Sequence, residues 1–218
     1  MYELLIFDVD GLLLDTERVW YETWNHVAER RQIPELQNIF LQMIGSNRQA
    51  ETILLNNLLK DTELVKDIFD EVGSLGLNRI ENDLQVKDGV IEILEYANQN
   101  NLKVGVATST NKKNTLKRLK KVDIIHYFDY IICGDEVTHM KPHPEIYDTV
   151  ISKFDIDKTK SIILEDSSIG VEAAHRSGVD CIMVEDLVVP TEVEIDRTVL
   201  VCKNLHEALD YIKKENRK

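Results

Sequence analysis

The chain has 218 residues, 43% of them hydrophobic and 30% charged, enough for one large globular domain or for a core domain with a smaller companion. Its net charge of −13, from 39 acids against 26 bases, argues against non-specific nucleic-acid binding and against an anionic membrane surface, but leaves room for a locally positive site that takes a small anion. No stretch approaches the ~18 apolar residues of a membrane span. With no signal-peptide pattern, and with Cys133, Cys181 and Cys202 in or beside apolar runs as reduced thiols, a cytoplasmic protein is expected.

The first strand is expected at Leu4–Phe7 (LLIF), running into Asp8-Val9-Asp10-Gly11. From about Thr16 to about Asn82 only helical periodicity follows. Trp20, Trp24 and Val27 share one face, Ile53, Leu54, Leu55, Leu58 and Leu59 form a second apolar patch, and Leu64, Val65, Ile68, Phe69 and Val72 a third. This segment reads as a small all-α insert with hinges near Asp15–Glu17 and Asp83–Val86. Alternation then begins. A helix over Gly89–Asn98 with Asp88 as N-cap precedes a strand at Val104–Ala107. The helix Asn111–Lys121 follows, and its basic run Lys112, Lys113, Lys117, Arg118, Lys120 and Lys121 reads as a solvated face. Further strands are expected at Tyr130–Cys133, Ser161–Leu164, Cys181–Val184 and Val199–Cys202. Helices are expected at Glu145–Phe154 and Ile169–Ser177, the latter ended by Gly178.

The strand runs are short, β-branched and not alternating, as in a parallel sheet covered on both faces. The expected fold is α/β: a Rossmann-like parallel sheet core formed by residues 1–14 and 84–218, interrupted by an α-helical unit over 15–83.

In such a sheet the carboxyl ends of the strands line a ligand crevice. Asp8 and Asp10, at i and i+2 of an extended segment, project to the same side, where their repulsion invites a hard divalent cation, Mg²⁺ first. The alternative is that one acid caps the turn and the other is solvated. The cluster Thr108-Ser109-Thr110 ahead of a helix suits a phosphate, or simply caps that helix through Thr110 or Asn111. Lys141 is held stiffly beside Pro142 at a helix start, where a cation gains nothing from the helix dipole. Glu165-Asp166-Ser167-Ser168 places acids at another strand end, with N-capping by Asp166 or Ser168 as the plainer reading. Together these residues can hold a metal, bind phosphate oxygens and supply both a carboxylate nucleophile and a proton carrier. His26 reads as a surface or packing residue. His126, His139, His143, His175 and His206 are scattered without metal-ligand spacing.

Asp8-Val9-Asp10-Gly11-Leu12-Leu13-Leu14-Asp15-Thr16-Glu17 closely resembles the first motif of the haloacid dehalogenase superfamily. Thr108, Lys141-Pro142 and Glu165-Asp166-Ser167-Ser168-Ile169-Gly170-Val171-Glu172-Ala173-Ala174 resemble its second, third and fourth motifs, in order. The helical insert resembles the cap of the β-phosphoglucomutase and sugar-phosphatase branch. The resemblance implies Asp8 as nucleophile and Mg²⁺ ligand, and Asp10 as general acid–base with its carbonyl on the metal. Asp166 and Glu165 would complete the metal shell, and Thr108, Ser109 and Lys141 would hold the phosphoryl group. Thr16 would sit at the cap hinge, and Arg48, in the cap loop Ile44-Gly45-Ser46-Asn47-Arg48, would reach the substrate. Where the mutases carry a histidine in the first cap helix and a lysine before the cap-loop glycine, this chain has Trp20 and Ile44. The implied activity is therefore hydrolysis of a small phosphorylated metabolite, a sugar or polyol phosphate, by a monomer. A β-phosphoglucomutase-type isomerase is the alternative, and a non-catalytic phospho-aspartate switch the alternative of another class.

Overall fold

The computed structural model describes residues 1–44 and 48–217. In chain order the regular elements are β1 (Leu4–Phe7), α1 (Thr16–Arg31), α2 (Arg48–Leu59), α3 (Thr62–Asp83), α4 (Val90–Gln99), β2 (Lys103–Thr108), α5 (Lys112–Lys121), β3 (Tyr130–Cys133), α6 (Glu145–Phe154), β4 (Ser161–Glu165), α7 (Ser168–Ser177), β5 (Asp180–Val184), α8 (Glu192–Arg197), β6 (Leu200–Cys202) and α9 (Leu205–Glu215). The chain forms two compact units, Met1–Asp15 with Gln85–Lys218 and Thr16–Leu84.

The first unit is a six-stranded parallel sheet in the order β3-β2-β1-β4-β5-β6. β1 lies centrally, with Phe7 opposite Val106 of β2 on one side and Leu164 of β4 on the other. All four residues of β1 are fully buried, because helices cover both faces of the sheet. Leu4, Ile6, Ile163, Val150, Tyr147, Val171 and Cys181 belong to the core on the α6/α7 face. The three cysteines are free and buried. Helix starts follow local chemistry: Asn111 accepts from Asn114 N ahead of α5, and Ser167 from Gly170 N ahead of α7. Gly178 ends α7 at φ 70, the left-handed turn that favours glycine. α4 differs from expectation. Its N-cap is Gly89, without a side-chain cap, while Asp88 faces His206 at 3.2 Å.

The second unit is helical. α1 and α3 pack through Trp24, Val27 and Ala28 against Val65, Ile68 and Val72, spaced by three or four residues along α3. Trp24 meets Phe69 edge-on at 5.7 Å between centroids. Trp20 lies so close to Gly76 that a Cβ there would stand 2.1 Å from its ring. The expected patch on α2 is narrower than the sequence suggested. Leu55 is buried and Leu54 and Leu59 pack beside it, but Ile53 and Leu58 face outward. Among the described residues no helix is long and apolar enough to cross a membrane.

Candidate active site

The carboxyl ends of β1, β2 and β4 meet at one edge of the first unit. The Asp8 amide donates to the Leu164 carbonyl at 3.1 Å, which carries the β1–β4 ladder one residue beyond the strand and sets Asp8 beside Glu165. Lys141, reaching in from the segment between β3 and α6, lies between the two. Its Nζ donates to Asp8 Oδ1 at 2.6 Å, to Glu165 Oε1 at 2.6 Å and to the Ala107 carbonyl at 2.9 Å. The three side chains are almost sealed: Lys141 is 4% exposed, Asp8 11% and Glu165 0%.

These groups determine one another's protonation. Asp8 is raised to about 7, chiefly by burial, with Lys141 acting to lower it and Glu165 and Asp10 to raise it. Burial alone would lower Lys141, but the carboxylates of Asp8 and Glu165 outweigh it and the lysine is held above its usual value. Burial likewise opposes ionisation of Glu165, and Lys141 outweighs it, so this carboxyl is held below its ordinary range. The bridge is thus a lysine cation between the Glu165 carboxylate and an Asp8 carboxyl that titrates at about 7.

Glu165 departs from its expected place in a metal shell. Its Oε1 accepts from Lys141 and from Tyr147 Oη at 2.5 Å. Its Oε2 accepts from Asp166 N at 3.1 Å, Ser167 N at 3.2 Å and Ser167 Oγ at 3.0 Å. A fully buried carboxylate with five donors has no lone pair left for a cation; it anchors Lys141 instead. Gly170 on α7 makes room for it, since a Cβ there would lie 1.8 Å from the Glu165 carboxyl carbon.

Asp10, where the chain turns through Gly11 at φ 85, is held at both oxygens. Thr110 Oγ1 donates to Oδ2 at 2.7 Å and Arg118 Nη1 to Oδ1 at 2.7 Å. Thr110 therefore serves Asp10, and capping of α5 falls to Asn111. Arg118 corrects the reading of α5 as a purely solvated basic face, because its side chain is only 12% exposed. It follows Thr115 by three residues and adjoins Leu119, the two buried positions of the helix, and that spacing is the signal that marks it as inward. Tyr147 was also not anticipated as a site neighbour. It adjoins Ile146 and precedes Val150 by three, on the inward side of α6.

Thr108 is buried at the end of β2 and accepts from Thr110 N at 3.1 Å, which leaves its O–H to donate; Ser109 next to it is exposed. Asp166 is half-buried just past β4. Thr16 and Arg48 belong to the helical unit. Thr16 is buried at the start of α1, and Arg48 opens α2 with its guanidinium 4.0 Å from the Phe69 ring centroid. Gly45, Ser46 and Asn47 of the expected cap loop lie outside the described residues. The helical unit has its own cavity of about 450 Å³, lined by Trp20, Trp24, Phe40 and Phe69, with Arg48, Glu17 and Glu51 among its polar groups.

The donor set at the sheet edge fits a hard cation. Asp8 at the end of β1 and Asp166 just past β4 offer carboxylate oxygens, the donors Mg²⁺ prefers.

The sequence matches the family described as haloacid dehalogenase-like hydrolase over residues 5–184. The chain belongs to that family. Among curated relatives of this hydrolase, a phosphorylated carbohydrates phosphatase of Thermotoga maritima is 34% identical over 189 residues, covering 82% of each chain. A fructose-1-phosphate phosphatase of Escherichia coli is 28% identical, covering 84% of this chain and 96% of its own. A beta-phosphoglucomutase of Bacillus subtilis is 26% identical, covering 80% and 79%. A solved structure from Thermotoga maritima superposes with a TM-score of 0.80 at 29% identity, over 97% of this chain and 99% of the other. The hydrolase is an enzyme of the family's phosphatase group.

Proposed function

We propose that this hydrolase cleaves a small phosphorylated carbohydrate in a Mg²⁺-dependent reaction through an aspartyl-phosphate on Asp8. The observation that most supports it is the sealed Asp8–Lys141–Glu165 bridge at the end of the central strand. It sets a carboxylate oxygen beside a fixed cation, the combination a phosphoryl acceptor needs.

In the first step an Asp8 oxygen attacks phosphorus, the bond from phosphorus to the ester oxygen breaks, and the departing alkoxide takes a proton from Asp10. In the second, Asp10 takes a proton from water, the resulting hydroxide attacks the same phosphorus, and phosphate leaves as Asp8 is regenerated. Lys141, the Thr108 hydroxyl and the Ser109 amide hold phosphoryl oxygens. Thr110 and Arg118 fix where Asp10 stands. The Asp8 carboxylate, the Asp10 carbonyl and Asp166 would hold Mg²⁺, which supplies charge neutralisation at the phosphoryl oxygens. Glu165 is left out of this set, because its oxygens serve Lys141 and Tyr147.

The helical unit, in this reading, is a cap that selects the alcohol half of the substrate. Aromatic faces beside an arginine and two glutamates suit the apolar faces and hydroxyls of a sugar. The named phosphatase relatives support a carbohydrate substrate, and Trp20 and Ile44 favour hydrolysis over isomerisation. The test is phosphate release across a panel of sugar and polyol phosphates, with Mg²⁺ and with chelator. Mg²⁺-dependent turnover that Asp8→Asn abolishes supports the proposal. Conversion of β-glucose 1-phosphate to glucose 6-phosphate without phosphate release would assign a mutase, and a single burst of one phosphate per chain a switch.

A further inference from the structure

Two histidines read from the sequence as scattered converge in the structure. We propose that His139, His143 and Glu145 form a binding site for a transition-metal ion of the Zn²⁺ class, on the segment that carries Lys141. The ligating atoms of the three side chains all lie within 4.8 Å of one another. The two imidazole rings are 4.5 Å apart between centroids and tilted by 32°. His139 Nδ1 is 2.8 Å from Glu145 Oε2.

The carboxylate is aimed before any ion arrives. Thr138 N donates to Oε1 at 2.7 Å and His139 N to Oε2 at 2.9 Å, and these bonds help hold Glu145 ionised below its usual range. His143 stands between Pro142 and Pro144, so its backbone is stiff and the entropy lost on binding is small. Two neutral imidazoles and one carboxylate suit zinc, nickel or copper; magnesium prefers an all-oxygen set. The two exposed rings leave outer positions for water, as in a three-ligand site.

Loading has an identifiable cost. The Glu145 amide donates to His143 Nδ1 at 3.2 Å. A neutral imidazole offers one lone pair, so an ion at Nδ1 displaces this contact, and an ion at Nε2 requires the Nδ1–H tautomer, which cannot accept it. The His143 bond given up is a long one at 3.2 Å, and an ion at His139 Nδ1 also replaces that ring's 2.8 Å contact with Glu145 Oε2, against two nitrogen ligands and an anionic oxygen gained. A second group, Cys133, Asp135 and Glu136, also converges but is committed elsewhere. Burial keeps the Cys133 thiol protonated, Asp135 accepts from Lys112 N, and Glu136 pairs with Lys112 Nζ.

An ion on these three residues would tie the 139–143 segment to the first turn of α6. Lys141 lies midway along that segment, so the site would brace the lysine from outside the cleft.

The experiment is calorimetric titration of zinc into the full chain in millimolar Mg²⁺, comparing the unmodified protein with a His139→Gln/His143→Gln double variant and with His143→Gln alone. Both rings are exposed, and thermal melting checks that each variant folds. The expected result is one zinc per chain, with affinity weakened at least about tenfold in the double variant. No zinc binding up to millimolar concentration overturns the proposal. So does equal binding by the folded double variant, which would place the ion on the Asp8 cluster or on Cys133. Should the double variant fail to fold, unchanged affinity in His143→Gln overturns it equally.

Discussion

The substitution Gly170→Ala isolates the Glu165 anchor with a single methyl group. The new Cβ would meet the Glu165 carboxyl carbon and Oε1 at 1.8 Å and Oε2 at 2.2 Å, distances no real pair of atoms can keep. The side chain must move, yet its oxygens accept from Lys141, Tyr147, Asp166 N, Ser167 N and Ser167 Oγ, and it is fully buried. Hydrogen bonds to a charged group contribute ~1.5–3 kcal/mol each, so losing two of the five costs on the order of 3–6 kcal/mol. The helix propensity gained by replacing glycine offsets at most about 1 kcal/mol. The expected melting temperature therefore falls by on the order of 10 °C. Turnover falls with it, because Lys141 loses one of its two carboxylate partners. Gly73→Ala is the matched control. It makes the same change within a helix, with nothing inside 4 Å of the new Cβ, and should stabilise the protein by about 0.5–1 kcal/mol. Urea and thermal unfolding of both variants decide the matter. A Gly170→Ala protein as stable as Gly73→Ala would show that the Glu165 carboxylate relocates freely and is not the anchor of Lys141.

Three further outcomes are expected. In chelator, Asp8 is lifted from its ordinary 3.8 to about 7, so the folded chain keeps a proton there that the unfolded chain releases; the stability this confers is full below about pH 4 and gone once pH has risen through 7. Asp8→Asn should accordingly melt higher than the unmodified chain at pH 8 in chelator, and Mg²⁺ should raise the melting temperature of the unmodified chain far more than that of the variant; equal Mg²⁺ shifts would remove Asp8 from the ligand set. Arg118→Met leaves Asp10 held only by Thr110 and should lower kcat about tenfold or more, or ~1.4 kcal/mol, with KM within about twofold and partial rescue by Arg118→Lys; an unchanged kcat would make Arg118 a purely structural partner. Arg48→Ala removes a cationic group from the cavity of the helical unit and should raise KM for a sugar phosphate several-fold while leaving p-nitrophenyl phosphate unaffected, whereas parallel losses on both would count against the cavity as a sugar selector.

The sheet is legible in the sequence because a parallel strand buried on both faces must be short, apolar and unbroken, and LLIF, SIIL and CIMV meet that condition whatever surrounds them. The i, i+2 spacing placed Asp8 and Asp10 at one strand end without reference to the rest of the chain. What local pattern could not give was the partner of each charge. Glu165 and Asp166 are adjacent acids at a strand end, equivalent as letters, and it is the depth of the Lys141 side chain and the position of Tyr147 that commit Glu165 to the core. Arg118 is the one arginine among six basic residues on the helix, and what commits it is that it faces the side of Thr115 and Leu119. His139 and His143 acquire a common carboxylate only when the segment around Pro142 folds back onto the first turn of α6. Each of these depends on which side of an element meets a neighbour distant in sequence. Charge identity is local information and charge pairing is not. Taken position by position against the buried stripe of α5, Thr115 and Leu119, the basic run itself sets Arg118 apart from its neighbours.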